Sequence, residues 1–240
     1  MKKLILLLIS AMLFLSSCKK DNSLLGTRLK TFTFKSSLIE EKSTIQYNSF
    51  NKVDNVKVEK NGAHISTKYC IYKSDHSLDS IIIKNATGTI TETINVECTN
   101  YKVTRYTSES FDIQINYNNN GTLNQLKSDK ITLGFAYTSD TVSISKKEVG
   151  NPTISLIFYT IRKDIKNPFY ITGFESEMYI VLGALLSNTH TPYTAFTSYA
   201  ESKLFTSGNI SFTYEGNFNG YPLKRFFDDG FTETFTYEEF

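Results

Sequence analysis

The sequence lacks the charge pattern that marks nucleic-acid-binding proteins. Its 240 residues include 26 basic and 24 acidic side chains, and two of the basic ones, Lys2 and Lys3, belong to the N-terminal segment. The rest of the chain therefore has no formal net charge, and it contains no run of five or more basic residues. Because proteins bind nucleic acids largely by neutralising phosphates with Lys and Arg, we expect no nucleic-acid partner.

Motifs of catalysis and metal binding are also missing. The three histidines, His64, His76 and His190, are far apart and do not have the spacing of metal ligands. The chain has no Gly-x-Ser-x-Gly elbow, no phosphate-binding P-loop and no glycine-rich dinucleotide motif. The sequence therefore predicts a non-enzymatic protein without a metal or cofactor, and an envelope hydrolase is the less favoured alternative.

Cysteine is scarce, with only Cys18, Cys70 and Cys98 in the chain. Two cysteines of an exported protein can form a disulfide, so Cys70 and Cys98 could close a loop of 28 residues. Two separate buried thiols are the alternative. The sequence does not decide between them, because a disulfide requires Cα atoms within about 7 Å of each other.

What the sequence does contain begins with an export signal. Lys2 and Lys3 precede an apolar run over residues 4–15, which is too short for a membrane span of about 20 residues. This pattern predicts a signal peptide over residues 1–17. The run ends in Leu-Ser-Ser-Cys18, which resembles a bacterial lipobox, and an ordinary signal peptide with a chance cysteine is the alternative. The resemblance implies that acyl chains on Cys18 attach the protein stably to a membrane.

The mature chain shows the alternation of antiparallel strands. In FDIQINY, residues 111–117, every second residue is apolar or aromatic and the residues between are polar. Such alternation is typical of strands buried on one face only. Turn residues such as Asn61-Gly62 and Asn120-Gly121 separate the runs. The sequence therefore predicts an all-β fold, a long antiparallel up-and-down meander that forms a strongly curved sheet or a barrel-like half-barrel.

A short unit recurs along this meander. A Tyr closes one strand, a turn follows, and two apolar residues open the next strand. The unit occurs as Tyr47, Val53 and Val56, as Tyr72, Leu78 and Ile81, and as Tyr117, Leu123 and Leu126. Because a single hairpin cannot bury its own apolar face, we expect the units to stack into one domain over residues 28–240, after a lipid-anchored linker over residues 18–27.

One apolar segment breaks the alternation, and it follows acidic residues at 175 and 177. It predicts a helix over about residues 176–187, packed on or inside the concave face of the sheet, and a buried strand pair is the alternative. A sheet of 14 or more strands encloses more space than its own side chains fill, so this segment could fill or cover a cavity. The candidate cavity or plug residues are Met178, Tyr179, Val181, Leu182, Leu185 and Leu186.

These features together resemble the lipoproteins of Bacteroidetes-type bacteria that form a family of unknown function with a porin-like fold. The residues that carry the resemblance are the lipobox followed by KKDN, the Tyr-turn-apolar hairpins, KNPFY at 166–170, MYIVLGALLS at 178–187 and the C-terminal NGYPLKRFFDDGFTETFTYE. Arg225 departs from the pattern, because an apolar residue is expected at its position. The family has no assigned catalytic residues, so none is transferred.

The resemblance also implies a location and two modification sites. Lys19-Lys20-Asp21 is similar to a charged tag that sends such lipoproteins to the cell surface, and a solvated linker is the alternative. We expect an outer-membrane lipoprotein on the cell-surface or periplasmic face. Asp-Ser80-Ile and Asp-Thr141-Val resemble the O-glycosylation signal of such bacteria, which makes Ser80 and Thr141 weak candidates.

These expectations lead to one main functional hypothesis, a non-enzymatic and lipid-anchored envelope protein that binds a ligand or partner. Glycan, peptide, lipid and envelope-protein partners are all compatible with the sequence. The first alternative is a carrier of a lipid or another apolar ligand in a half-barrel cavity. The oligomeric state is left open.

Overall fold

The computed structural model describes residues 26–100, 102–166, 168, 198–203, 212–216, 218–227 and 230–240. All of the elements within these ranges are strands. They are β1 (Thr27–Lys35), β2 (Glu40–Tyr47), β3 (Val53–Lys60), β4 (Ala63–Tyr72), β5 (Leu78–Asn85), β6 (Ile90–Thr99), β7 (Lys102–Thr107), β8 (Asp112–Tyr117), β9 (Leu123–Ser128), β10 (Ile131–Tyr137), β11 (Thr141–Glu148), β12 (Ile154–Lys166), β13 (Ser198–Lys203), β14 (Phe212–Glu215), β15 (Lys224–Phe227) and β16 (Thr232–Glu239).

The strands form one antiparallel sheet in which chain neighbours are also spatial neighbours. The order is β13 back to β1 in sequence, followed by β16, β15 and β14. The predicted all-β antiparallel meander is therefore confirmed. The pairing of β1 with β16 was not predicted, and it brings the first and last described strands together. No ladder between described residues joins β13 to β14, so the sheet is unclosed there.

Short turns with positive φ angles fix the register of the hairpins. At the β3–β4 turn, Asn61 and Gly62 have φ angles of 49° and 79°, and Lys60 pairs with Ala63. Two consecutive positive φ angles match the twist of the flanking strands, which explains the Asn-Gly sequence. The turn predicted at Asn61-Gly62 is confirmed, and it joins β3 to β4 in two residues.

The sheet buries one face, which we call the core face. On β8, Ile113 and Ile115 are buried, whereas Gln114 and Asn116 between them are exposed on the outer face. The buried apolar residues of the core face form a single cluster. Its members are Leu29, Ile45, Val53, Val56, Val58, Cys70, Leu78, Ile81, Ile94, Val96, Val103, Tyr106, Ile113, Ile115, Leu123, Leu126, Phe135, Val142, Ile144 and Phe235.

Several predicted features lie outside the described residues. They are the signal peptide over 1–17, Cys18, and the helix over about 176–187 with its candidate plug residues. Of the predicted linker over 18–27, Thr27 already belongs to β1. In the part of the chain that the structure describes, no helix has the length and hydropathy of a membrane span.

Candidate ligand-binding face

Tyrosines at one end of the sheet explain the recurring sequence unit. The hydroxyl groups of Tyr47, Tyr72, Tyr117 and Tyr237 donate hydrogen bonds of 2.6 to 2.9 Å to backbone carbonyls of Leu29, Val53, Val103 and Pro222. In the first three cases the carbonyl belongs to one of the first three residues of the preceding strand. We call this end of the sheet the tyrosine end. Each bond fastens the two strands of one hairpin and satisfies a polar group of the Tyr on the core face.

Cys98 occupies the tyrosine position of its own unit. Its thiol lies 3.5 Å from the carbonyl oxygen of Leu78, at the start of the preceding strand. Cys98 is therefore the smaller member of the series of side chains at the tyrosine end. A search for the Tyr unit misses it, because the residue is Cys and the apolar pair of the next strand begins one residue earlier than in the Tyr units.

The core face also carries two charged residues, which lie away from the tyrosine end. Lys68 on β4 pairs in register with Ile83 on β5, and Ile83 pairs with Glu92 on β6. Lys68 has the same parity along its strand as the buried Cys70, and Glu92 has the same parity as the buried Ile94. A lysine and a glutamate therefore lie on the core face with one apolar residue between them.

Lys68 and Glu92 are both partly buried, which is unusual for charged residues. Burial lowers the pKa of Lys68 below its ordinary value, and the negative charges of Glu41 and Glu92 act in the opposite direction. No ion pair or hydrogen bond of the described residues includes the Lys68 ammonium group. The Glu92 Oε1 atom is buried and accepts no hydrogen bond from the described part of the chain. Buried polar atoms are normally satisfied, so both groups have capacity to bind something else.

A second pair of charged residues lies on the core face, and its two members contact each other. Arg225 on β15 and Glu233 on β16 are 1% and 2% exposed, and they form an ion pair. The Arg225 guanidinium group also lies 4.5 Å from the centroid of the Phe227 ring. The sequence pattern had marked Arg225 as a departure from an apolar position, and its side chain does occupy that buried position. This pair holds β15 against β16.

The predicted cysteine pair is separated by a strand. Cys70 lies on β4 and Cys98 on β6, and β5 runs between them. Strands that share a neighbour are roughly 10 Å apart, beyond the Cα separation of about 7 Å at which a disulfide can form. The geometry therefore favours the alternative of two separate thiols.

The two O-glycosylation candidates lie in strands. Ser80 is part of β5, in register with Ile71 and Asn95. Thr141 begins β11, and its hydroxyl lies 2.8 Å from the hydroxyl of Thr138. Both side chains are partly buried. Their modification remains a prediction.

Among the described residues, no cluster of three or more His, Cys, Asp or Glu side chains that could hold a metal ion occurs. His64 is partly buried, with its Nε2 atom 3.0 Å from the hydroxyl of Thr67. His76 lies in the exposed turn between β4 and β5. His64 therefore lies on β4 and His76 in the turn that follows it. His190 lies outside the described ranges.

Lys68 and Glu92 were not predicted as site residues, although the sequence contains a signal for each. In HISTKYCIY, residues 64–72, Lys68 shares the parity of Cys70 and Tyr72. In ETINVEC, residues 92–98, Glu92 shares the parity of Ile94 and Val96. A charged residue at a core-face position is the informative observation. The plug residues that the sequence predicts lie instead in the segment 176–187, outside the described residues.

Comparison with known proteins supports the fold. No protein-family model matches the chain, and no curated protein matches it. Among solved structures, the crystal structure of a porin-like protein from Bacteroides uniformis matches with a TM-score of 0.57 and 14% sequence identity. The match covers 88% of this chain and 98% of that one. The chain therefore has a fold similar to that of a porin-like protein of Bacteroides.

Proposed function

We propose that this protein is a non-enzymatic, lipid-anchored protein of the cell envelope that binds a polar ligand or partner at its core face. The anchor is the acylated Cys18 of the lipobox, and the envelope location follows from that anchor. The observation that carries the binding proposal is the arrangement of Lys68, Ile83 and Glu92 on three adjacent strands. Lys68 offers donors and Glu92 offers an acceptor, and no described residue engages either group.

The chemistry of these two groups restricts the ligand. An acceptor such as a hydroxyl, carbonyl or carboxylate oxygen would bind the Lys68 ammonium group, and a donor such as a hydroxyl or amide would bind Glu92. A buried polar group without a partner costs about 1–3 kcal/mol, so a ligand that supplies both partners gains affinity and specificity. Glycans and peptides carry both hydrogen-bond donors and acceptors, which makes them the favoured classes of ligand.

The test is to identify molecules that the protein retains from its native envelope. Wild-type protein is purified in mild detergent and denatured, and the released molecules are analysed by mass spectrometry beside those from Lys68→Met and Glu92→Gln. Lys127→Met and Glu239→Gln are matched controls, because Lys127 and Glu239 are exposed. We expect a polar molecule from the wild type and both controls, and its loss from both core-face variants. Equal release from all five proteins, or release from none, would contradict the proposal.

A carrier of an apolar ligand is the second candidate, because the buried apolar residues of the core face form one cluster that extends from β1 to β11. A lipid would pack against this surface and would not depend on the charge of Lys68. Recovery of a lipid in equal amounts from the wild type and Lys68→Met would favour the carrier over the polar-ligand site.

A further inference from the structure

The chain enters the sheet at the tyrosine end. The backbone N–H of Gly26 donates to the carbonyl oxygen of Phe240, and the N–H of Phe240 donates to the carbonyl oxygen of Gly26, both at 3.0 Å. This closely spaced pair extends the β1–β16 ladder by one residue on each strand. The N-terminal segment that carries Cys18 is therefore connected at this end.

Two exposed phenylalanines lie at the same end. Phe50, in the β2–β3 turn, is 61% exposed, and Phe240 is 43% exposed. Arg28 joins them, because its guanidinium group lies 4.9 Å from the centroid of the Phe240 ring and donates a 3.0 Å hydrogen bond to Asn51, next to Phe50. On its other side, the Phe50 ring lies 4.1 Å from the ring of His76. We call these five residues the phenylalanine rim.

Most backbone N–H groups of the turn that carries Phe50 are hydrogen-bonded within the turn. The Asn48 side-chain oxygen accepts from the backbone N–H groups of Phe50 and Lys52, and the Asn48 carbonyl accepts from the N–H of Asn51. Moving a polar backbone group out of water is costly unless it is hydrogen-bonded. These N–H groups can therefore enter a less polar environment without losing their hydrogen bonds, and the Phe50 ring gains from the transfer.

The length of the N-terminal segment limits which surface can lie against a membrane. Cys18 and Gly26 are eight residues apart, which corresponds to at most about 29 Å of extended chain. A strand of eight residues such as β2 is about 26 Å long. The opposite end of the sheet could reach the bilayer only with the segment almost fully extended along the strands. The tyrosine end needs no such extension.

We infer that the phenylalanine rim docks on the surface of the bilayer that holds the Cys18 acyl chains. This inference rests on the proposed lipid anchor. Phe50 and Phe240 insert at the boundary between head groups and acyl chains, where apolar rings of membrane-surface proteins are found. The Arg28 side chain lies between them at head-group level, and Glu238 pairs with it at 2.7 Å. Lys68 and Glu92 then lie farther from the bilayer than the hydroxyl groups of the tyrosine end.

The absence of Trp from the sequence makes the docking directly measurable. Phe50→Trp and Phe240→Trp each place a single Trp at the rim. Leu38→Trp is the matched control, because Leu38 is 83% exposed in the β1–β2 turn at the opposite end of the sheet. Each acylated variant is reconstituted into phosphatidylcholine vesicles, with or without bromine on the acyl chains, and Trp fluorescence is recorded.

We expect a blue-shifted emission and quenching by brominated lipid for Phe50→Trp and Phe240→Trp, and neither effect for Leu38→Trp. Quenching of the Leu38→Trp variant alone, equal quenching of all three, or quenching of none would overturn the docking. The intact mass of each protein reports acylation separately. An acylated protein without quenching at the rim contradicts the docking and leaves the anchor in place, whereas a mass without acyl chains contradicts both.

Discussion

At the scale of single residues, the informative positions are those where a charged residue occurs at a place in the alternation that faces the core. Lys68 stands at a core-face position between Val56 and Ile83 of the neighbouring strands. A charged group there is destabilising unless a partner is supplied, which is why burial lowers its pKa. The Lys68 ammonium group therefore lowers the stability of the folded protein. A role in ligand binding is a physical reason for a charged residue at this position.

Replacing Lys68 by Met tests this cost. Met has a similar volume and no charge, so Lys68→Met is expected to raise the free energy of unfolding by about 1 kcal/mol at neutral pH. Between the lowered pKa of folded Lys68 and its ordinary value near 10.5, the unfolded chain binds more protons at this site than the folded one. Stability of the wild type relative to Lys68→Met therefore rises with pH in that window.

Urea unfolding of both proteins at several pH values measures the difference. Lys127→Met, on the outer face, is the control and should change stability by less than about 0.5 kcal/mol. A Lys68→Met protein that is less stable than the wild type at neutral pH would mean that the ammonium group already has a favourable partner.

Cys70 provides a second test at the residue scale. Burial raises the pKa of its thiol to about 12, and the thiolate is the reactive form. In a Cys18→Ser protein, we expect a thiol reagent to titrate two thiols after unfolding without reductant. In the folded protein, Cys70 should react far more slowly than a solvent-exposed thiol. Recovery of no thiols after unfolding would show that Cys70 and Cys98 are joined after all.

At the scale of the elements, the hairpin is the repeating unit, and in four hairpins a tyrosine hydroxyl fastens one strand to the chain at the start of the other. The sequence alone indicated the unit, because Tyr, turn and apolar pair recur at constant spacing. It did not indicate the reason for the Tyr, since spacing does not show that the hydroxyl reaches the carbonyl of Val53 or Leu29. Cys98 shows the limit of the pattern, because the position persists although the residue type changes.

Removing one hydroxyl measures what this fastening contributes. Tyr72→Phe deletes the 2.8 Å hydrogen bond to Val53 and leaves a carbonyl without that donor, so unfolding should become easier by about 1 kcal/mol. Tyr69→Phe is the matched control, because Tyr69 lies on the same strand but is exposed on the outer face. Thermal or denaturant unfolding gives both values. Equal effects of the two substitutions would show that the hydroxyl of Tyr72 adds nothing.

At the scale of the whole molecule, the sequence predicted the fold class but not how its ends meet. Alternation over residues 29–161 was sufficient for the meander, because one-sided burial imposes a period of two. The β1–β16 pairing joins residues about 200 positions apart, and no local pattern specifies it. In the structure, Phe32 of β1 and Phe235 of β16 are paired in register, and their rings stack with centroids 5.5 Å apart. This contact between distant parts of the chain could not be predicted from local sequence.

Because β1 pairs with β16, we expect the described sheet to form even when the termini of the chain are moved to another turn. A circular permutant tests this expectation. Phe240 is joined to Gly26 by a short Gly-Ser linker, and new termini are placed between Asn61 and Gly62 in the β3–β4 turn. Because Gly26 and Phe240 already exchange backbone hydrogen bonds, the linker spans a short distance and adds little loop entropy. We expect cooperative unfolding and an unchanged strand signal in circular dichroism.

A second permutant, opened between Ile81 and Ile82 within β5, interrupts a strand whose Ile81 is fully buried. It should lose cooperative unfolding, since exposed turns tolerate new termini and buried strands do not. If the first permutant fails as the second does, the pairing of β1 with β16 does not suffice to hold the sheet together, and covalent order along the chain is required. If both fold, β5 contributes less to the core than the burial of Ile81 implies.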